Sequence, residues 1–351
     1  MTELQTSGIR LANTCDDIVS RRGGAGPSDH QAVTVEGTTI MVPVYTHSSR
    51  NSDFLLDENG KSLVSDATRI AAVELTSIPT FYALQTADGI PYSKIATLHG
   101  RDVLATTVLQ TCIRYESRRK ACKFCSIGQS LDAGRTIAHK TPAQLAEVAK
   151  AAVELDGVKH MVMTTGTPTG RDRGADILCK SAAAVKAAVD LPIQAQCEPP
   201  DDHSWFGKMK EAGIDSLGMH LEVLSPELRA VLMPGKSEVS VETYFEAFDA
   251  AVAVFGRGQV STYILAGLGD TEETIISTSL QLIDRGVYPF VVPFVPIHGT
   301  PMEDHPAPSA DFMEAVLKPI GAKLREASLL SSDIKAGCGR CGACSSLASY
   351  E

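Results

Sequence analysis

The amino-acid sequence predicts an α/β protein whose main part, residues 101–327, is a partial (β/α)6 TIM-like barrel. Short apolar runs rich in β-formers alternate six times with longer helical segments, which is typical of parallel strands with right-handed helical crossovers. The 351 residues suffice for one large domain with small additions. We expect three additions: a flexible N-terminus over residues 1–30, a small β-rich N-terminal module over residues 31–100, and a cysteine-rich C-terminal tail over residues 328–351.

The first hundred residues differ in pattern from the rest of the chain. RRGGAGPSDH, residues 21–30, has the composition of a linker. Residues 32–45 and 55–64 have the composition of strands, and ENG within the second run is typical of a hairpin turn. These runs predict the β-rich module.

Six predicted strand and helix pairs occupy the chain up to residue 328. Thr141 is the predicted cap of the first helix, and Gly213 the predicted end of the third. The pattern alone leaves open whether the strands curl into part of a barrel or form an open sheet. The pairs are 102–110 and 141–155, 159–165 and 175–189, 191–198 and 205–213, 216–224 and 241–256, 259–267 and 271–286, and 288–297 and 310–328.

Composition and charge narrow the class of partner. The formal net charge is −10, whereas surfaces that bind nucleic acid or acidic membranes are basic, so we expect no nucleic-acid partner. No run of about 18 apolar residues is present, so we expect no membrane partner. The first thirty residues lack the apolar region of a secretory signal. We therefore expect a cytoplasmic protein whose nine cysteines stay mostly reduced.

Three cysteines follow the first strand of the predicted barrel: Cys112, Cys122 and Cys125. In parallel α/β folds, ligands bind at loops after the carboxyl ends of strands. Three thiolates on a cubane leave one iron without a protein ligand, and that iron can bind a substrate or cofactor. Phe124 supplies apolar cover, and the loop is basic. Its basic residues are Arg114, Arg118, Arg119 and Lys120. The loop predicts an Fe–S site, with a zinc knuckle, a redox pair and buried unligated thiols as alternatives.

This loop resembles the cluster loop of the radical S-adenosylmethionine (SAM) superfamily, whose usual signature is C-x3-C-x-Φ-C with an aromatic Φ. Cys122-Lys-Phe124-Cys125 matches the second half, while nine residues replace three in the gap after Cys112. The resemblance to a biotin-synthase-like core covers about residues 105–320. As a whole, the chain looks most like a radical SAM family encoded beside nitrilases in bacterial nitrogen-metabolism gene clusters.

The resemblance implies which residues hold SAM. Thr165 and Gly166 lie where the family has its glycine-rich stretch for the SAM amino group, but the family's acidic residue is missing there. Backbone carbonyls and hydroxyls would take its role. His220 and Glu222 in GMHLEVL fall on a triplet that binds ribose.

Further SAM contacts are implied by segments near the last strands. Gly267 in ILAGLGD lies in the glycine-rich motif on the adenine side, and VPFVPIHGTPM resembles the ending of biotin-synthase relatives. Lys236 or Arg229 is expected to meet the SAM carboxylate. Phe124 is expected to border the cofactor.

The function that the resemblance implies is that of a radical SAM enzyme. A [4Fe-4S] cluster would reductively cleave SAM to a 5'-deoxyadenosyl radical, which would abstract hydrogen from a small, nitrogen-containing metabolite. A reductant such as flavodoxin or ferredoxin would supply the electron. The reaction after hydrogen abstraction stays open. The alternative is a non-catalytic Fe–S or zinc protein, an electron carrier or scaffold.

A second group of cysteines, Cys338, Cys341 and Cys344, forms C-x2-C-x2-C near the C-terminus and is called here the C-terminal thiols. The glycines between them let the backbone wrap around a metal. The spacing predicts an auxiliary Fe–S cluster, with a zinc site and redox-active thiols as alternatives. Three other cysteines are candidates for a fourth ligand: Cys15, Cys179 and Cys197.

Overall fold

Two β-sheets organise the chain in the computed structural model. The structure describes residues 1–11, 30–44, 46, 48–66, 68–115, 117 and 119–351. Within these described residues, one sheet has six strands, the last of which ends at residue 75, and the other has seven strands between residues 97 and 293.

The six-stranded sheet follows a short N-terminal helix. Its strands run in the order β1-β4-β5-β6-β2-β3, with β1 and β4 parallel and the other neighbours antiparallel. Apolar side chains such as Val33, Leu56 and Val73 form its core. The elements are α1 (Thr2–Ser7), β1 (Arg10–Leu11), β2 (His30–Val35), β3 (Thr38–Pro43), β4 (Leu55–Leu56), β5 (Ser62–Ser65) and β6 (Thr68–Leu75).

The first eleven residues are packed rather than flexible, so the expectation for residues 1–30 is wrong for this part. Leu4 and Ile9 are buried in the core of the six-stranded sheet. The Gln5 side chain donates a hydrogen bond to the Ala343 carbonyl over 2.9 Å. Burial of these side chains is what anchors α1. Residues 12–29, which include Cys15 and most of the predicted linker, lie outside the described residues.

The seven-stranded sheet contains the predicted strand and helix pairs in order. Its elements are α2 (Tyr92–Ile95), β7 (Thr97–His99), β8 (Val103–Thr107), α3 (Ile127–Asp132), α4 (Pro142–Asp156), β9 (His160–Thr164), α5 (Ala175–Ala188), β10 (Ile193–Gln196), α6 (Trp205–Glu211), β11 (Ser216–Gly218), α7 (Pro226–Leu232), α8 (Val241–Phe255), β12 (Val260–Ala266), α9 (Glu272–Asp284), β13 (Val287–Pro293), α10 (Ala310–Glu326) and α11 (Cys338–Cys341). Short 3-10 turns cover Ser48–Asn51, Thr80–Ala83, Lys236–Glu238, Ser331–Asp333 and Leu347–Tyr350.

The strands β8 to β13 are parallel and lie side by side in chain order, with β7 antiparallel at the outer edge of β8. Ala105 on β8 and Val292 on β13 line the same cavity, so the sheet curls until its two ends face each other. The fold is an α/β half-barrel: the alternating pattern predicts its parallel strands, and the curl decides against an open sheet. Nearly every residue of these strands is buried, as expected when both faces of a parallel sheet are covered.

Helix ends follow the signals in the sequence. The Thr141 hydroxyl accepts from the Gln144 amide over 3.2 Å, and the Gln144 side chain accepts from the Thr141 amide over 2.9 Å. This capping box confirms Thr141 as the start of α4. Gly213, two residues after the end of α6, has φ +90°, a conformation that favours glycine.

Residues 328–351 pack against the amino end of the half-barrel. The Gly337 amide donates to Nδ1 of His160, the first residue of β9, over 3.1 Å. The Ala343 carbonyl also accepts from the Met41 amide over 2.7 Å, which links this segment to β3. The segment therefore lies between the amino end of the half-barrel and the six-stranded sheet.

Candidate active site

A cavity of about 390 Å³ lies inside the curled sheet. Side chains from five of the parallel strands line it, together with residues from the loops that follow them. Its volume is within the range of about 300–1,000 Å³ that is usual for small-molecule sites. The cavity therefore has the size of a small-molecule binding site.

The three cysteines after β8 line this cavity together with Phe124. The loop that carries them is fixed on two sides. The Ile113 amide donates to the Thr167 carbonyl over 2.9 Å, and the Gly235 amide donates to the Lys120 carbonyl over 3.0 Å. Phe124 and Cys122 pack against an apolar group from the neighbouring segments: Val223, Met233, Leu268, Phe294 and Met302. Backbone hydrogen bonds and apolar packing thus hold the thiols at the carboxyl end of the strands.

The thiols Cys112, Cys122 and Cys125 are close enough to influence one another. Burial raises the pKa of Cys122 well above its usual value, and the thiolates of Cys125 and Cys112 raise it further. Burial likewise raises the pKa of Cys125 to about 12, although an Ile127 amide hydrogen bond opposes this. Deprotonation of these buried thiols is therefore costly unless a cation accompanies it. This donor set fits an iron cluster, whose positive irons stabilise deprotonated thiols.

No three described His, Cys, Asp or Glu side chains stand at a spacing that would place them around one metal ion. Thiolates on a multi-iron cluster bind different irons and stand further apart than ligands of one ion. The spacing of Cys112, Cys122 and Cys125 is therefore compatible with a cluster.

His220 presents a buried donor to the cavity. Its Nδ1 accepts from the Tyr263 amide over 3.2 Å, so the neutral ring carries its proton on Nε2. Burial lowers the pKa of His220 to about 3, which keeps the ring neutral at physiological pH. Nε2 is buried and has no hydrogen-bond partner among the described residues. Because an unpaired buried donor costs free energy, this atom fits a ligand acceptor.

Glu222 lies two residues further on, in a backbone conformation that is uncommon for a side chain of its size. Its φ is +64°, while its amide and carbonyl both bond to the neighbouring strand β12, at Tyr263 and Leu265. A non-glycine residue in this region is strained by about 1 kcal/mol or more. The conformation is therefore a feature of the site, where Glu222 lines the cavity.

Lys236 forms an ion pair with Glu222, which the sequence did not predict. The Lys236 Nζ donates to Glu222 Oε2 over 2.8 Å, and the two side chains are 11% and 20% exposed. Burial opposes the charge on Lys236, but the Glu222 carboxylate, together with Tyr244, Cys122 and Glu198, raises the lysine pKa overall. Lys236 keeps further N–H donors, and Glu222 keeps a second oxygen, for other partners in the cavity.

A second buried ion pair, between Arg114 and Glu198, lies in the cavity wall. Arg114 Nη2 donates to Glu198 Oε2 over 3.2 Å, and Thr167 donates to Glu198 Oε1 over 2.8 Å. Arg114 Nη1 also donates to Glu238 over 2.7 Å. Arg114 was predicted only as part of a basic loop. The sequence signals that could have indicated this ion pair are the position of Arg114 after β8 and that of Glu198 after β10.

Thr165 and Gly166 line the cavity beside the cysteine loop. A Cβ on Gly166 would lie 2.1 Å from the Thr111 carbonyl oxygen and 3.1 Å from the Cys112 Cβ. Only glycine therefore lets β9 and the cysteine loop approach this closely.

Two predicted SAM contacts are placed elsewhere. Gly267 is not among the residues that line the cavity, and a Cβ there would lie 2.8 Å from Pro308. Its glycine is explained by that contact and by φ +101°. Arg229 is fully buried, and its guanidinium donates to three backbone carbonyls. These belong to Leu221, Val223 and Val239. Of the two candidates for the contact with the SAM carboxylate, Lys236 lines the cavity and Arg229 does not.

The sequence profile of the radical SAM superfamily matches residues 118–281, which include two of the three loop cysteines and most of the residues around the cavity. These residues therefore form a radical SAM domain. The protein is therefore an enzyme, and the family implies a [4Fe-4S] cluster and SAM as cofactors. The alternative of a non-catalytic Fe–S or zinc protein is not favoured.

Known proteins of several activities resemble this radical SAM enzyme. The bacteriochlorophyllide c C-7(1)-hydroxylase of Chlorobaculum limnaeum is 27% identical over 314 residues, 84% of this chain and 78% of that protein. The probable dual-specificity RNA methyltransferase RlmN of Rhodopirellula baltica is 27% identical over 135 residues, 38% of this chain and 36% of that protein. The structure of methylornithine synthase (PylB) has a TM-score of 0.47 at 20% identity and covers 62% of this chain and 61% of its own. For the hydrogenase maturase HydG, the TM-score is 0.48 at 16% identity, with 64% and 49% covered.

The C-terminal thiols approach the same cavity of the radical SAM enzyme from its amino end. Cys338 and Cys344 line it, and the Cys341 sulfur lies 3.1 Å from the position of a Cβ on Gly100. Cys197 also lines the cavity, whereas Cys179 on α5 does not. Within the part of the chain that the structure describes, no helix is long and apolar enough to cross a membrane.

Proposed function

We propose that this radical SAM enzyme holds its [4Fe-4S] cluster through Cys112, Cys122 and Cys125 and acts on a small, nitrogen-containing metabolite. The supporting observation is that these three cysteines share one cavity with His220 and Glu222. When bound, the reduced cluster and SAM supply a 5'-deoxyadenosyl radical that takes a hydrogen atom from the substrate. The reaction that follows hydrogen abstraction is left open.

The residues of the cavity would bind and orient SAM. The remaining N–H donors of Lys236 would meet the SAM carboxylate, and the second oxygen of Glu222 would accept from a ribose hydroxyl. The Nε2–H of His220 would donate to the nucleoside. Thr165 and Gly166 would accept from the SAM amino group through hydroxyl and carbonyl oxygens. Phe124 and the apolar side chains around it would keep water from the cluster.

Glu198 supports a nitrogen-containing substrate. A carboxylate offers about four acceptor positions, of which Arg114 and Thr167 occupy three through contacts of 2.8–3.4 Å. One position on Oε2 remains for an N–H group. Because the carboxylate is 7% exposed and already oriented, it would recognise an amine or amide without reorganisation.

Several finer assignments are parts of the same proposal. They are membership of the family encoded beside nitrilases, a cytoplasmic location, a flavodoxin or ferredoxin as reductant, the absence of a nucleic-acid partner, and a second Fe–S cluster or zinc at the C-terminal thiols. The divisions at residues 100 and 327 are likewise proposed. Gly267 would act indirectly, by letting the chain after β12 pack against Pro308.

The test is an anaerobic assay of 5'-deoxyadenosine formation with dithionite as reductant. Reconstituted wild-type enzyme should form 5'-deoxyadenosine from SAM, and Cys125→Ala should form none. Cys179→Ala, which changes a cysteine outside the cavity, should behave as the wild type does. If Cys125→Ala cleaves SAM at the wild-type rate, the assignment of the cluster is wrong.

The substrate is sought with deuterated nitrogenous metabolites. Transfer of deuterium into 5'-deoxyadenosine identifies a substrate, and product analysis should include hydroxylated products, since a hydroxylase is among the relatives. If amines and amides fail while nitrogen-free compounds transfer deuterium, the proposed substrate class is wrong and the enzyme class stands.

A further inference from the structure

The C-terminal thiols are arranged by local structure for a shared ligand. Cys338 and Cys341 begin and end the single turn of α11, so a spacing of three residues places them on one face of the helix. Gly342 ends α11 in the left-handed conformation, with φ +66°. That turn lets the chain reverse and brings Cys344 back to the same region.

Three elements of the half-barrel surround these thiols. The Cys338 sulfur accepts from the Gln196 side chain of β10 over 3.2 Å. The Cys341 sulfur lies beside Gly100, in the turn between β7 and β8. Tyr263 on β12 lines the same cavity as Cys338 and Cys344. The three thiols therefore lie at the same end of the half-barrel.

His99 adds a nitrogen to this group. It is the last residue of β7, it is buried, and its Nε2 lies 3.4 Å from the Cys344 sulfur. His99 lines the cavity, as Cys338 and Cys344 do. An imidazole beside three thiolates is a donor set that binds Fe–S clusters and zinc alike.

We propose that Cys338, Cys341, Cys344 and His99 bind a second Fe–S cluster at the amino end of the half-barrel. No three described His, Cys, Asp or Glu side chains stand at the spacing of ligands of one metal ion, which favours a cluster over a single zinc ion. Tyr263 and Gln196 both hydrogen-bond to Cys338, and such bonds to a ligating sulfur tune a cluster's reduction potential. The position of this cluster opposite the first one, across the cavity, rests on the proposed function. Its ligation by the C-terminal thiols and His99 is independent of that function.

The experiment measures iron, acid-labile sulfide and zinc in anaerobically reconstituted protein, together with the electron paramagnetic resonance (EPR) spectrum of the reduced state. Cys122→Ala/Cys125→Ala removes the first cluster and isolates the second. In this background we expect a cluster that is lost when Cys341→Ala is added and retained when Cys179→Ala is added.

The variant His99→Cys shows whether His99 is a ligand of the cluster or only packs beside Cys344. If imidazole is a ligand, replacing it with thiolate keeps the iron content but changes the EPR spectrum and lowers the reduction potential. His139→Cys, at an exposed position, is the matched control and should change neither. Tyr263→Phe should also lower the potential while retaining the iron, because it removes a hydrogen bond to Cys338.

Three results would overturn the proposal. Stoichiometric zinc without sulfide would show a zinc site. Iron retained after all three C-terminal thiols are changed to alanine would place the cluster elsewhere. A His99→Cys spectrum equal to that of its parent, with loss of the cluster in Cys15→Ala, would assign the fourth position to Cys15. Loss of SAM cleavage in Cys122→Ala/Cys125→Ala tests the proposed function separately.

Discussion

Replacing Lys236 with methionine should weaken SAM binding and destabilise the fold through two different partners. Lys236 pairs with Glu222 over 2.8 Å, and both side chains are mostly buried. Removing the ammonium leaves the Glu222 carboxylate without its partner, which costs about 3 kcal/mol of unfolding free energy for a buried pair. It also removes the charged donor that we propose for the SAM carboxylate, worth about 1.5–3 kcal/mol, or about 10- to 150-fold in Kd.

A double substitution separates the two effects. In Lys236→Met/Glu222→Gln the uncompensated carboxylate is gone, so most of the lost stability should return. SAM affinity should stay low, because the ammonium is not restored and a neutral amide oxygen is a weaker acceptor than the carboxylate. Lys180→Met, which breaks the exposed pair with Asp176, is the control and should cost less than about 1 kcal/mol.

Urea unfolding and anaerobic calorimetry of SAM binding are the two measurements. The reasoning is refuted if Lys236→Met binds SAM within twofold of the wild type. It is also refuted if the double variant is less stable than Lys236→Met, since the stability loss would then not come from an unpaired Glu222.

Three other substitutions should change stability or cluster content. Burial lowers the pKa of His160 to about 4, so the neutral histidine stabilises the fold fully above pH 6.5 and less as the pH falls. Between pH 6.5 and pH 4 the protein should lose about 3 kcal/mol of unfolding free energy through this residue. Urea unfolding of His160→Asn should not show this loss. Gly166→Ala places a methyl group 2.1 Å from the Thr111 carbonyl and should lower cluster content after reconstitution. Glu198→Gln weakens the buried contact with Arg114 and should cost about 2 kcal/mol in urea unfolding.

Matched variants show whether these effects are specific. His139→Asn changes an exposed histidine and is the control for His160→Asn. Gly207→Ala lies within α6, where a Cβ meets nothing within 4 Å, and should stabilise by about 1 kcal/mol without affecting cluster content. A His160→Asn variant with the wild-type pH slope, or full cluster content in Gly166→Ala, would contradict the corresponding argument.

The half-barrel could be predicted because its signals are local. Alternating apolar runs, the capping residue Thr141 and the glycine after α6 are each visible within a few residues of sequence. Loops after parallel strands meet at one end of a sheet, so chain order alone brought Cys112, Gly166 and His220 to one cavity.

Contacts between distant residues could not be predicted in this way. The Lys236–Glu222 pair depends on the left-handed turn at Glu222, for which the sequence carries no signal. The contact of His99 with Cys344 joins residues 245 positions apart. Gly267 was assigned to SAM from its motif, although its glycine is explained by packing against Pro308.

The central claim is that Cys112, Cys122 and Cys125 hold a cluster with an iron open to SAM. The most direct measurement is the EPR spectrum of the reduced Cys338→Ala/Cys341→Ala/Cys344→Ala variant, before and after SAM is added. We expect about four irons per chain, a spectrum that changes with SAM, and formation of 5'-deoxyadenosine. Iron-free protein, or a spectrum that SAM leaves unchanged, would contradict the account.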